Sequence, residues 1–269
     1  KYLLYDKTFG YYNSKQPFVI SGYYITEPNI SRLFSEMIAI WIISFWKNLV
    51  SPRNFNMIEL GAGNGEMMKI IIESFQNFPT FLESCNIIIH EKSPILIRIQ
   101  KEKLSKSKII WVSQINKIKK NPSIFIANEF FDAMPIKQFR KQRNIWYEKF
   151  VNFENYSKAS FIEKKTNIKK IEKRLNFKIS QNQNFIEYSE FGFDYLKNIS
   201  NMIKKNTGGL LIIDYGYLEK KMKNTLQAVS NHKFANILDN IGGVDITHNI
   251  NFELFKKFWF SLEVISKLV

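Results

Sequence analysis

Met57-Ile58-Glu59-Leu60-Gly61-Ala62-Gly63-Asn64-Gly65-Glu66 is a short apolar run that breaks into a glycine-rich turn, and the amphipathic segment Met67 to Phe75 follows it. A strand, a tight turn and a helix in that order form a nucleotide-cofactor turn. Glycine tolerates φ > 0 and lets the backbone approach a ligand, while the first amides of the helix face it. The spacing argues about which cofactor. A dinucleotide site asks for G-x-G-x-x-G/A, with a small third residue for close packing against a pyrophosphate. Here the third glycine comes one residue early and Glu66 stands where a small residue is needed. Glu59, two residues before Gly61, offers a carboxylate at the strand end to a cationic amino group. S-adenosylmethionine carries such a group and no pyrophosphate. The pattern Glu-x-Gly-x-Gly-x-Gly therefore points to a Rossmann-like methyltransferase, with a ligand-free tight turn as the bland alternative.

Outward from this turn, the elements alternate. Thr26-Glu27-Pro28-Asn29 reads as a helix start, and Ile30, Leu33, Phe34, Met37, Ile38 and Trp41 fall at helical spacing behind it, which predicts a helix to about Leu49. Ser51-Pro52-Arg53-Asn54 breaks the chain before the strand Phe55 to Leu60. Asn86 to His90 predicts a second strand, Ser93-Pro94 opens a helix through Leu104, Ile109 to Val112 is a third strand, and Ser123 to Ala127 a fourth. Strands separated by helices imply a doubly wound, mostly parallel α/β sheet that binds ligands at the carboxyl ends of its strands. Glu59, Glu91 and Glu129 stand at such ends.

Between residues 136 and 187 the alternation changes. Lys137 to Arg140 and Ile145 to Phe153 predict hairpin strands, and a lysine-rich stretch with little apolar periodicity follows. This reads as a β-hairpin and helical insertion over the site. A helix near Phe191 to Lys204, a stop at Thr207-Gly208-Gly209 and a buried strand Leu210 to Asp214 resume the parallel pattern. Thr225 to Val229, Phe252 to Phe260 and Leu262 to Val269 are expected to add a strand, a helix and a last strand. The expected organisation is a single domain over 1–269, with residues 1–54 as an N-terminal helical cover.

Composition narrows the classes. The 269 residues are 45% hydrophobic and 15% aromatic, enough for a core and unlike a disordered chain. The formal net charge is +15, mostly from lysines in runs such as Lys101 to Lys108, Lys117 to Lys120 and Lys164 to Lys173. Abundant isoleucine and asparagine accompany them, so the charge reads more as compositional bias and solvated faces than as a phosphate-tracking patch. A nucleic-acid partner is allowed but not indicated. One cysteine, Cys85, excludes an internal disulfide and a cysteine-rich zinc site and fits a reducing compartment. His90, His232 and His248 show no paired ligand spacing, and no metal is expected. Met37 to Val50 is the longest apolar stretch, and with Ser44 and Lys47 in it, it is too short to span a bilayer. No secretory signal pattern is present; Lys1 at the start and apolar residues at the end leave room for further chain on both sides.

Glu91, 26 residues after Gly65, stands where a carboxylate takes both ribose hydroxyls of a nucleoside cofactor, or else caps the helix beside Ser93. Ser113 follows the third strand, where an adenine would lie. In Ala127-Asn128-Glu129-Phe130-Phe131-Asp132-Ala133-Met134-Pro135, Asn128 joins the cofactor candidates, and Glu129 and Asp132 are candidate catalytic carboxylates. Paired carboxylates grip a guanidinium in bidentate geometry and draw its charge away from the attacking nitrogen. The alternative, in which Asp132 caps a following helix and Glu129 pairs with a lysine, is equally compatible with the residues.

The chain resembles the MidA family, which includes the mitochondrial complex I assembly-factor protein arginine methyltransferase and bacterial relatives. The resemblance rests on Tyr11-Tyr12, Ser21 to Met37, Glu59 to Gly65, Glu91-Lys92-Ser93-Pro94, Ala127 to Pro135 with Gln138-Phe139, Ile212-Ile213-Asp214-Tyr215-Gly216 and Thr225-Leu226-Gln227-Ala228. It implies a class I methyltransferase fold, S-adenosyl-L-methionine as donor, arginine dimethylation on a respiratory complex I subunit, and a cytoplasmic or mitochondrial-matrix setting. It also implies that the Thr26 segment packs over the cofactor. The chain departs from the family pattern at Asn224, where Gly is usual, and at His248 and Asn251, where Ala and Asp are usual. A non-catalytic cofactor-binding assembly chaperone and a nucleic-acid methyltransferase are the alternative readings.

Overall fold

The structure, a computed structural model, describes residues 31–154, 158–230, 233–238 and 244–263. In chain order its elements are α1 (Arg32–Asn48), β1 (Phe55–Leu60), α2 (Glu66–Phe75), α3 (Pro79–Ser84), β2 (Cys85–His90), α4 (Pro94–Lys103), β3 (Ile109–Val112) and β4 (Ser123–Asn128). There follow β5 (Lys137–Gln142), β6 (Ile145–Glu154), β7 (Lys158–Thr166), α5 (Ile168–Leu175), β8 (Phe185–Tyr188), α6 (Glu190–Asn206) and β9 (Gly208–Ile213). The last are β10 (Gly216–Tyr217), β11 (Gln227–Ser230), β12 (Lys233–Ala235), β13 (Asp245–Thr247), β14 (Ile250–Asn251) and α7 (Phe252–Ser261). The described residues divide into two compact units.

One unit runs to Phe130 and takes back Asn198–Ile213. Its five strands are all parallel in the order β3-β2-β1-β4-β9. The fold is α/β, as the alternation of apolar runs and helices predicts. Strands covered on both faces read as continuous apolar runs, and every residue of β1 is buried. The chain order reverses where β4 pairs beside β1, the place at which such sheets open a crevice beyond their carboxyl ends. Ile38, Ile42, Ile43 and Trp46 of α1 join Met67, Met68, Ile71 and Phe75 of α2 in the core beside the sheet. Phe75 stands edge-on to Phe81 with ring centroids 4.6 Å apart. Complete burial of such a ring contributes about 1.5–3 kcal/mol.

Local differences from the expected elements have physical causes. Helix α1 starts at Arg32, where Ser31 is extended and its hydroxyl accepts from the Phe34 amide; the helix start read at Thr26 to Asn29 lies outside the described residues. The rest of the expected N-terminal cover lies outside the described residues. Helix α6 ends at Asn206 and Thr207 is left-handed at φ 61°, at the stop the sequence marks, while Gly208 and Gly209 also open β9, two residues before the expected strand start. A Cβ on Gly208 would lie 1.9 Å from the Ser123 carbonyl oxygen, and one on Gly209 would lie 2.7 Å from the Phe45 ring. These two positions require glycine because a strand and a helix come close there.

The other unit comprises Phe131–Lys197 and the described residues from Asp214 onward. The insertion forms an antiparallel sheet in the order β7-β6-β5-β8. Strand β7 and helix α5 occupy the lysine-rich stretch that shows little apolar periodicity in the sequence. Nine residues of β7 pair with β6, from Lys158 opposite Glu154 to Thr166 opposite Trp146. Asn167 caps α5 by accepting from the Lys169 amide, and Asn176 ends it in the left-handed region at φ 51°. Phe131, Phe193, Phe255 and Phe258 build an aromatic core, with Phe193 stacked 4.0 Å from Phe258 and Phe131 edge-on to Phe255 at 5.3 Å. Leu262 closes α7 rather than beginning a strand, and residues 264–269 lie outside the described residues.

Candidate functional site

The sheet register assembles one edge. Leu60 pairs with His90 and His90 with Val112, so Gly61, Glu91 and Ser113 are the next residues out of three neighbouring strands. The Gly61 amide donates to the His90 carbonyl at 2.9 Å, and the Glu91 amide to the Val112 carbonyl at 3.2 Å. Gly61, Gly63 and Gly65 have φ of 68°, 53° and 81°, all in the left-handed region. A side chain at Gly61 would also meet the Phe130 ring at 2.9 Å. Glu66 begins α2 and pairs with Lys103 at 2.6 Å, so a charged side chain fills the position a dinucleotide turn keeps small.

Two buried acceptors at this edge could receive a ligand's donors. Among the described residues, Glu59 Oε2 on β1 and Asn128 Oδ1 at the end of β4 have no hydrogen-bond partner. Unpaired buried polar atoms are costly, and a cationic or N–H donor would relieve both. Burial, and then the nearby Glu91 charge, raises the Glu59 carboxyl to about 8. Glu91 is also raised by burial, against which the Ser93 and Lys92 amides and Gln100 stabilise its charge. Its Oε1 accepts from the Lys92 amide at 2.7 Å and the Ser93 amide at 2.9 Å. Ser93 itself caps α4 by accepting from the Leu96 amide, so the capping role belongs to Ser93. A buried carboxylate with an orphaned oxygen, a second carboxylate and a left-handed glycine turn fit S-adenosyl-L-methionine, whose ammonium, ribose diol and lack of pyrophosphate match those groups. Glu59, Gly61, Gly63, Gly65, Glu91, Ser113 and Asn128 thus lie in one unit at one end of one sheet. Ser113 is exposed. Thr26 lies outside the described residues.

Glu129 follows Asn128 with φ 46°, a left-handed conformation that a side-chain-bearing residue rarely adopts, and its amide donates to the Ile213 carbonyl at 2.9 Å. Strain of this kind gathers at functional sites. Asp132 lies in the other unit, almost buried, in the turn that Met134 closes by donating to the Phe131 carbonyl. No helix follows that turn directly, so the expectation that Asp132 caps one is corrected: the next element is β5.

The residues that hold Asp132 are ones for which the sequence suggests no role. Asp214 Oδ2 accepts from the Phe131 and Asp132 amides at 3.0 and 3.3 Å, and its Oδ1 accepts from the Tyr215 amide. The His248 amide donates to the Asp132 carbonyl at 3.1 Å, and burial lowers the His248 imidazole to about 4, keeping it neutral. A second buried carboxylate, Glu187, accepts from Gln138 at 2.5 Å and from both the amide and the hydroxyl of Thr225. The Asn224 side-chain oxygen accepts from Gln138 at 2.7 Å. Asn251 caps α7 by accepting from the Leu254 amide at 3.0 Å, which an aspartate does equally well. Two of the three departures from the family pattern therefore have a structural use.

Residues 37–263 match the family described as "Putative S-adenosyl-L-methionine-dependent methyltransferase". Protein arginine methyltransferase NDUFAF7, mitochondrial, of Xenopus tropicalis is 26% identical over 92% of this chain and 63% of that protein. Its counterpart in Danio rerio is 28% identical over 92% of this chain and 64% of its own. The chain therefore spans a little under two thirds of the length of these curated relatives. A Burkholderia thailandensis protein crystallised with S-adenosyl-homocysteine superposes with a TM-score of 0.76 at 19% identity, over 97% of this chain and 70% of that one, and shares the fold.

Proposed function

Because the chain belongs to the family of S-adenosyl-L-methionine-dependent methyltransferases, we propose that it methylates an arginine of a protein substrate, a subunit of respiratory complex I by the resemblance to the MidA family. The observation that carries the reading is the strained, acidic Glu129 next to Asn128, at the carboxyl end of β4 and directly beside the strand that bears Glu59. S-adenosyl-L-methionine supplies an electrophilic methyl on a sulfonium.

In this reading Glu59 and Asn128 accept from the cofactor's ammonium end, Glu91 takes its ribose hydroxyls, the glycine turn admits it closely, and Ser113 lies at its adenine side. By the resemblance to the MidA family, the Thr26 segment, which lies outside the described residues, would cover it. Glu129 and Asp132 grip the guanidinium, orient one nitrogen and keep the positive charge on the others, and Asp214 and His248 fix the Asp132 backbone. As the carbon–nitrogen bond forms, the sulfonium carbon–sulfur bond would break, S-adenosyl-homocysteine would leave, and the proton lost from the nitrogen would pass to Glu129 and on to water; positioning and electrostatics would account for most of the acceleration. The chain works as one methyltransferase domain with residues 136–187 inserted, in bacterial cytoplasm or the mitochondrial matrix.

The mitochondrial relatives carry arginine methyltransferase in their names, which supports the acceptor assigned here. Glu129→Gln tests the proposal in cells that lack the protein. An arginine methyltransferase loses its biological effect with this variant and keeps cofactor affinity. A variant that restores the effect in full without methylation would make the protein an assembly chaperone instead.

A further inference from the structure

Gln100 lies on the inward side of α4 with no exposed surface. A glutamine amide so placed is costly unless its donors and acceptor are met. Its Oε1 accepts from Trp111 Nε1 at 3.0 Å, and its Nε2 donates to the Gly63 carbonyl at 2.9 Å and to Glu91 Oε2 at 3.4 Å. The indole N–H is only a donor, so it decides which end of the amide faces Trp111. The amide NH₂ is left pointing at the glycine turn and the Glu91 carboxylate together.

We propose that Gln100, oriented by Trp111, is a positioning residue that sets the glycine turn and the Glu91 carboxylate in the geometry the cofactor meets. The inference rests on the reading of those two features as cofactor contacts. The Lys92 and Ser93 amides hold one oxygen of Glu91, and Gln100 holds the other. With both oxygens held, the carboxylate plane cannot rotate. Gly63, at φ 53°, turns its carbonyl inward to the same amide, so one side chain ties the glycine turn to the loop that bears Glu91. Without it the turn and the carboxylate must be ordered during binding, and that cost appears in the dissociation constant.

The test is calorimetric titration of the whole protein with S-adenosyl-homocysteine, alongside melting without ligand. Gln100→Met keeps the length and packing and removes all three hydrogen bonds; affinity should weaken about 10- to 50-fold. Trp111→Phe keeps an aromatic ring and frees the amide to turn; affinity should weaken about threefold to tenfold. In a Glu91→Gln background the Gln100→Met loss should shrink, because part of it acts through Glu91. A merely structural glutamine would lower the melting temperature and leave wild-type affinity within twofold, and that result overturns the inference. If Gln100→Met does not fold, Trp111→Phe decides in the same way. Wild-type protein that binds no S-adenosyl-homocysteine overturns the cofactor-site reading itself, whereas wild-type binding with unchanged variants overturns only the role of Gln100.

Discussion

Cofactor affinity should depend on pH through Glu59. Its carboxyl is raised to about 8 by complete burial and by Glu91, and Oε2 has no partner among the described residues. Below that value the side chain is mostly protonated and cannot serve as counter-ion to an ammonium. Binding therefore releases a proton between about pH 6 and 8, and affinity for S-adenosyl-homocysteine should rise close to tenfold per unit across that window, levelling near pH 8. Glu59→Gln keeps the shape and removes the charge. At pH 8 the variant should bind about 30- to 150-fold more weakly, from the roughly 2–3 kcal/mol of a charged hydrogen bond lost in a buried site, and its affinity should be nearly flat with pH. Glu91→Gln should move the wild-type midpoint downward, since the Glu91 charge helps to raise Glu59. Folding shows the opposite slope. A raised carboxyl means the folded state keeps a proton that the unfolded state releases, so ligand-free stability should fall as pH rises from about 4.5 to about 8, by on the order of 5 kcal/mol at most. The assays are calorimetry at pH 6, 7 and 8 and urea unfolding over the same range. Wild-type affinity that is flat with pH, or Glu59→Gln binding as tightly as wild type at pH 8, refutes the reasoning.

Three further outcomes follow from the same geometry. Glu129→Gln and Asp132→Asn should each lower methyl transfer at least about 100-fold in a labelled-cofactor assay, with the dissociation constant of S-adenosyl-homocysteine within about threefold of wild type. Gly208→Ala should destabilise by more than about 3 kcal/mol in urea unfolding or prevent soluble expression, because the new Cβ would meet the Ser123 carbonyl oxygen at 1.9 Å with φ at +142°. Glu187→Leu should cost more than about 2 kcal/mol by thermal melting, since it strands Gln138 and Thr225 in a buried setting. Glu187→Gln should recover part of that loss.

The central strands were legible because they are buried on both faces and so stand out as apolar runs between glycine and proline signals, as β1 and β4 do. The carboxylates at the strand ends were legible for the same reason, since a charge closing an apolar run needs explaining. Strand β7 and helix α5 were hard to see: β7 lies on a half-exposed sheet with lysines on its solvent side, and α5 is only about two turns long, with Ile168, Ile171 and Leu175 as its whole apolar side. Asn167 and Asn176, cap and stop of α5, were the available signals. The stop at Thr207 was legible, but that glycines 208 and 209 already belong to β9 was not, because local propensity cannot show that β4 and α1 press against them. Gln100 gave a faint signal, a polar residue four positions after Leu96 on the buried stripe of α4. Asp214 and Glu187 gave no local signal of their roles, because the amides they accept from lie 83 and 38 residues away.

The central claim, methylation of protein arginine at the edge formed by β1, β2 and β4, is tested most directly by mass spectrometry of arginine methylation after heavy-methyl methionine labelling. Cells with the intact protein are compared with cells that lack it and with cells carrying Glu129→Gln. The account predicts at least one heavy-methylated arginine peptide that is present with the wild-type protein and absent from both other samples. Identical arginine methylation in all three would contradict it.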